Sequence, residues 1–224
     1  MDHGTRDELL SHLADVAGAI TAAHPVRVAI DGVPAAGKTT LADELAAVLR
    51  ARGREVIRAT IEGFLMPRSA RHPWSDSAEG WYSHSTDLEA LRRVLLDPLG
   101  PGGNRKYRQA VYDKAADKPL SPPARTAATH AVLLFDGVFL QREELRDSWE
   151  LRILVSATFA TAVNRSRARD QAPLMSADDA EQRYRRRYMP SQQFYFETVR
   201  PDQLADIIVH NDEPHRPEWE TRGH

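Results

Sequence analysis

Eight residues constrain this chain more than any others: Gly32-Val-Pro-Ala-Ala-Gly37-Lys38-Thr39. They lie between an apolar run, Val26 to Ile30, and a helical pattern carried by Leu41, Leu45, Val48 and Leu49. The spacing is that of a phosphate-binding loop, G-x-x-x-x-G-K-[ST], in the strand-then-helix context that the motif requires. Glycines at its ends let the backbone turn so that successive N–H groups point at phosphate oxygens. Lys38 brings a compact positive charge, and the Thr39 hydroxyl is a ligand for Mg²⁺, which keeps most of its shell as water and phosphate oxygen. The helix starting near Lys38 adds the positive end of its dipole. Gly32, Pro34, Ala35, Ala36, Gly37, Lys38, Thr39 and Thr40 are therefore the expected nucleotide-phosphate contacts.

Such a loop needs a sheet behind it. Glu55–Thr60 reads as a second strand, so strand, loop, helix and strand form a βαβ unit with parallel pairing. Val132–Phe135, Leu151–Val155 and Ile207–Val209 are further apolar runs of the kind that a strand buried on both faces needs. Upstream, Thr5-x-x-Glu8 predicts a capping box, with Leu9, Leu13, Val16 and Ile20 on one helical face and an end near His24-Pro25. Further helices are expected over 87–96, 158–170 and roughly 177–197. Residues 62–86 and 97–125 lack clean periodicity and read as long loops of the kind that bind ligands. The expected organisation is an N-terminal helix over 1–24, one α/β domain over 25–212 and a C-terminal tail over 213–224.

Composition narrows the function classes. A chain of 224 residues is long enough for one core to bury about 70–75% of the surface its unfolded form exposes. It contains no cysteine, which excludes a disulfide framework, thiolate metal sites and a cysteine nucleophile. Thirty basic against 32 acidic side chains leave a net charge of −2, so no global field draws the chain to nucleic acid. No apolar run approaches the roughly 20 residues of a membrane span, and the first residues are amphipathic and acidic rather than signal-like. A cytoplasmic protein with neither membrane nor nucleic-acid partners is expected.

Three further features bear on chemistry. Leu133-Leu-Phe-Asp136 is an apolar strand ending in a carboxylate suited to Mg²⁺. Glu62 lies two residues past the second strand, at the end of a parallel sheet where ligands bind. It is placed to accept the proton of an attacking hydroxyl or to help hold the metal. Arg165 and Arg169 share a helical face, and arginine forks stabilise the charge that phosphoryl transfer spreads over equatorial oxygens.

Together the segments VAIDGVPAAGKTTLADEL, ATIEGFLMPR, NRKYRQAVYD, VLLFDGVFL and NRSRARD resemble uridine kinase-like proteins of the phosphoribulokinase/uridine kinase family, from about Val26 to Asn211. The resemblance implies a P-loop kinase fold of the α/β class, with a parallel five-stranded sheet, helices on both faces and a helical lid at about 160–190. It implies ATP as donor, Mg²⁺ as cofactor and a small-molecule acceptor, a nucleoside such as uridine or cytidine phosphorylated on its 5′-hydroxyl. Lys38, Glu62, Arg165 and Arg169 take the catalytic roles by this likeness, and Thr39, Glu62 and Asp136 the metal. Tyr112, Asp113 and Arg187 fall on the acceptor side, with Tyr188 and Tyr195 beside them. Glu62 stands where the family usually has Asp, and Leu65 near a position where Tyr or His is common. Other acceptors (pantothenate, nicotinamide riboside, a sugar phosphate) stay open. So do a nucleotide-binding protein without turnover and an RNA-binding module built on the arginines around 183–187. Members of the family often self-associate.

Overall fold

The apolar run before the phosphate loop becomes the middle of the sheet. The computed structural model describes residues 1–169, 181–182 and 184–222, and of Arg169 and Arg187 the backbone alone. Seven strands form one sheet: β1 (Asp2–His3), β2 (Val26–Gly32), β3 (Val56–Thr60), β4 (Val132–Asp136), β5 (Leu151–Ser156), β6 (Ile207–His210) and β7 (Glu218–Thr221). Their order is β1-β7-β6-β5-β2-β4-β3. The five expected strands are β2 to β6, all parallel to their neighbours within the set. In β2, Ile30 lies opposite Asp136 and Gly32 opposite Val155, which aligns the loop with the ends of β4 and β5.

Every residue of β2 is buried, as an apolar run packed on both faces should be. On one face Val28, Ile30, Leu134 and Ile153 meet Leu9 and Leu13 of α1 (Arg6–Ala19) and Leu41 and Leu45 of α2 (Lys38–Ala51). On the other, Ala29, Ile57, Leu133 and Phe135 meet Leu91, Leu95 and Leu99. Those leucines lie on a helical stretch in which Leu88–Leu91 continues through a π turn into Asp97–Leu99. Helices therefore cover both faces. The first of them is N-capped as its sequence predicts: Thr5 Oγ1 accepts the Glu8 N–H at 3.2 Å, and Glu8 Oε2 accepts the Thr5 N–H at 2.7 Å. It ends at Ala19, earlier than expected, because Ile20 has already turned extended with ψ 119°.

Other departures come from elements too short to show a period. Residues 62–86 are not one loop; they contain a 3₁₀ turn (Ile61–Phe64), a helical turn (Arg68–Arg71) and α3 (Ala78–His84). Ser77 caps α3 by accepting the Gly80 N–H at 2.9 Å. Within 97–125, Lys106–Tyr107 pairs with Arg125–Thr126, and Tyr112–Asp113 with Lys118–Pro119. Two-residue strands leave no alternation to read. The segment expected as a C-terminal tail contains β7, antiparallel to β6, and β1 pairs with β7 in turn. Trp219 on β7 is buried in the same core cluster as α1.

After β5 come α4 (Phe159–Arg169), a π turn (Tyr184–Tyr188) and α5 (Met189–Val199). Residues 170–180 and Arg183, inside the segment expected as a lid, lie outside the described residues. No helix among the described residues is long and apolar enough to cross a membrane.

Candidate active site

The phosphate loop is a cradle that admits no side chain at two points. Gly32 has φ 145°, and a Cβ there would lie 2.2 Å from the Val155 carbonyl oxygen. Gly37 has φ 97°, and its Cβ would lie 2.4 Å from Asn211 Nδ2. Only glycine tolerates both constraints. Between them Ala35 adopts φ 63°, a backbone conformation that costs energy and is typical of ligand clamps. The first N–H groups of α2 follow directly, and Lys38, itself buried, holds its ammonium 2.8 Å from the Val33 carbonyl. Thr39 and Thr40 are exposed beside it.

The loop is braced from outside. The Ala36 carbonyl accepts from Asn211 Nδ2 at 2.7 Å and Arg165 Nη1 at 3.3 Å; the Pro34 carbonyl accepts from the Tyr184 hydroxyl at 3.2 Å. Arg165 Nη2 also donates to the carbonyls of Asn211 and Asp212, at 2.7 and 3.1 Å. Its guanidinium, expected to face phosphates, is thus spread over three main-chain oxygens that lie within reach of one fork. Arg169, the other expected phosphate clamp, and Arg187, expected on the acceptor side, have side chains outside the described residues.

Beyond the loop lies a pair of hard oxygen ligands. Thr39 Oγ1 donates to Asp136 Oδ2 at 2.7 Å, and Asp136 is buried. The two donors meet where α2 starts and β4 ends, and their chemistry fits Mg²⁺. Among the described residues no group of three His, Asp or Glu forms a protein cage, and Mg²⁺, which keeps several waters, needs none.

Glu62 does not join that pair. It is exposed, on the 3₁₀ turn after β3, with Oε1 2.5 Å from Lys114 Nζ. The cause is local packing: the Gly63 carbonyl accepts the Val111 N–H at 2.9 Å, which lays the hairpin bearing Lys114 against the turn. The Tyr112–Asp113 pair comes with it, but both side chains serve the hairpin. The Tyr112 hydroxyl donates to Asp117, and Asp113 Oδ1 caps the N–H groups of Ala115 and Ala116 at 2.9 and 3.0 Å.

On the opposite face of β2 a buried polar knot supports the loop's first residue. Asp31 is fully buried; Oδ1 accepts the Gly32 N–H at 2.8 Å, and Oδ2 accepts from the Tyr195 hydroxyl at 2.5 Å and Gln141 Nε2 at 3.4 Å. The Tyr195 oxygen in turn accepts the Gln141 N–H at 3.0 Å. Burial pushes the Asp31 carboxyl above its ordinary range, and burial next to Asp31 pushes the Tyr195 phenol well above its own. Tyr195, expected on the acceptor side, is instead an internal brace. Asp31, Asn211 and Tyr184 escaped the sequence reading. For Asp31 a signal existed: an acid ending an apolar strand must find donors once buried.

The five parallel strands, the loop leaving β2 and the carboxylate ending β4 define the P-loop kinase fold. Solved structures that share it include a possible uridine kinase from Bacillus stearothermophilus. That protein is 23% identical, with a TM-score of 0.69 over 90% of this chain and 97% of the other. A provisionally assigned fructose transport system kinase from Silicibacter sp. is 20% identical, with a TM-score of 0.70 over 87% and 95%. A D-glycerate 3-kinase from Cryptococcus neoformans is 14% identical, with a TM-score of 0.61 over 97% of each chain. No sequence-family model matches the chain, and no curated protein sequence matches it.

Proposed function

We propose that this protein is an ATP- and Mg²⁺-dependent kinase that phosphorylates the 5′-hydroxyl of a nucleoside such as uridine or cytidine. The observation that carries it is the glycine-gated cradle with the Thr39–Asp136 pair at 2.7 Å beside it. Main-chain N–H groups from the loop to the start of α2 bind the phosphates, and the Lys38 ammonium neutralises the transferring group. Thr39 and Asp136 hold Mg²⁺, which when bound neutralises charge on the phosphate oxygens. The bond from the γ-phosphorus to its bridging oxygen breaks, a bond to the acceptor oxygen forms, and ADP leaves. Glu62 takes the hydroxyl proton after its carboxylate parts from Lys114. We assign Glu62 to the proton rather than to the metal, because its partner lies on the hairpin side.

A nucleoside acceptor is supported by the motif resemblance and by the fold shared with the possible uridine kinase. The fold shared with the glycerate kinase supports a kinase for another small hydroxyl compound. The test is ATP turnover with Mg²⁺ against uridine, cytidine, nicotinamide riboside, pantothenate, D-glycerate and ribulose 5-phosphate, with Lys38→Ala as control. Turnover that needs uridine or cytidine and falls by about 10³-fold or more in Lys38→Ala is expected, since that ammonium acts where charge develops. Turnover on another acceptor alone would refute the nucleoside and keep the kinase.

A further inference from the structure

Nothing in the proposed reaction uses Arg58, yet this side chain grips the buried carboxylate at the metal corner. Arg58 lies on β3 opposite Leu134, one strand away from Asp136. All three of its nitrogens are committed. Nη2 meets Asp136 Oδ1 at 2.9 Å, Nη1 donates to the Leu134 carbonyl at 2.7 Å, and Nε meets Asp43 Oδ1 at 2.9 Å. Asp136 is thus held at both oxygens, Oδ1 by Arg58 and Oδ2 by the Thr39 hydroxyl. The Arg58 and Asp136 side chains are 18% and 4% exposed, while that of Asp43 is 65% exposed.

A carboxylate turns as a rigid plane, so fixing one oxygen fixes the other. A planar guanidinium meets a carboxylate, a carbonyl and a second carboxylate from three separate nitrogens in one fixed plane, whereas an ammonium donates from a single nitrogen on a flexible stem and fixes no such spacing. The charge balance also suits a dication. One guanidinium between two carboxylates leaves a net −1, so the corner still attracts Mg²⁺ while Asp136 is held in place. Losing a partner that orients a ligating carboxylate from behind typically costs about 10–100-fold in metal affinity.

We propose that Arg58 is a positioning residue that presets Asp136, so that Oδ2 and the Thr39 hydroxyl are offered together to the Mg²⁺ of a bound nucleotide. This rests on the nucleotide-binding role proposed above. The experiment is calorimetric titration of ADP into wild type, Arg58→Gln and Arg58→Lys, once in EDTA and once with saturating Mg²⁺. Arg58→Gln is expected to lower the tightening conferred by Mg²⁺ by about 10-fold, the low end for such outer partners. Affinity in EDTA should stay within about twofold, a split that general destabilisation would not produce. Arg58→Lys keeps the charge without the fork and should lose about threefold; it carries the test if Arg58→Gln does not fold. Full Mg²⁺ tightening in both variants, or equal losses with and without metal, would overturn the proposal. A wild type that binds no ADP under either condition would instead overturn the nucleotide-binding role itself.

Discussion

Tyr195→Phe removes one oxygen atom from the buried knot behind the phosphate loop, and its effect can be worked out from two hydrogen bonds. Asp31 loses its closest donor, at 2.5 Å, and the Gln141 N–H loses its acceptor, at 3.0 Å. Both residues and Tyr195 are fully buried, so water does not replace the hydroxyl without repacking. A bond to a charged group is worth about 1.5–3 kcal/mol and an orphaned buried N–H costs about 1–3 kcal/mol. Partial relaxation of the Gln141 side chain, which already reaches Asp31 at 3.4 Å, brings the expected loss to about 3 kcal/mol. For a chain of this size that is a fall in Tm of roughly 6–12 °C.

The loss should also depend on pH. Burial raises the folded-state pKa of Asp31, so the folded state holds its proton more tightly than the unfolded chain does. Stability from this group is therefore full below the unfolded value of about 3.9 and is lost as pH rises through the folded value. Taking away a donor to the ionised form raises the folded value further. The deficit of Tyr195→Phe should thus be largest at neutral and alkaline pH and shrink as pH falls toward about 4. Thermal unfolding of wild type, Tyr195→Phe, Asp31→Asn and the double variant at pH 4 and 8 measures this. In the double variant the two losses should not add, because the charge that needs the phenol is gone. A Tyr195→Phe loss under about 0.5 kcal/mol, or an equal loss at both pH values, would refute the reasoning.

The remaining predictions concern the loop and the core. Gly32→Ala forces a Cβ to within 2.2 Å of the Val155 carbonyl oxygen at φ 145°, a backbone contact that cannot swing aside. It should cost about 2–5 kcal/mol and abolish ADP binding by calorimetry. Gly53→Ala, at φ 79° with nothing near its Cβ, should cost only about 1 kcal/mol and leave ADP binding intact. Leu13→Ala, fully buried on α1 in the main core cluster, should cost about 2–5 kcal/mol in urea unfolding while a single transition is kept. A cost below about 1 kcal/mol would show that α1 is an appendage rather than part of the core.

Local and repetitive features are legible in the residues themselves. The loop motif, the Thr5–Glu8 capping box, the four apolar runs and the strand read at Glu55–Thr60 each place their element correctly, because neighbouring residues decide a turn, a cap or a strand. Thr39 and Asp136 were each legible from their own motifs, but their contact at 2.7 Å, where α2 starts and β4 ends, comes from the strand order that sets β4 beside β2. The short elements of 62–86 and 97–125 were not legible, because two to seven residues show no period. Nor was strand β7, whose place depends on β6 beside it. The partners of the site come instead from long-range packing. Tyr195 reaches Asp31 across 164 positions of sequence, Asn211 reaches Ala36 across 175, and Arg58 reaches Asp136 across 78. The same packing turned Arg165 onto main-chain carbonyls and Glu62 onto Lys114. A spacing rule fixes which residue type stands at a position. Where a charged side chain points is decided by the donors and acceptors that packing places within about 3 Å of it.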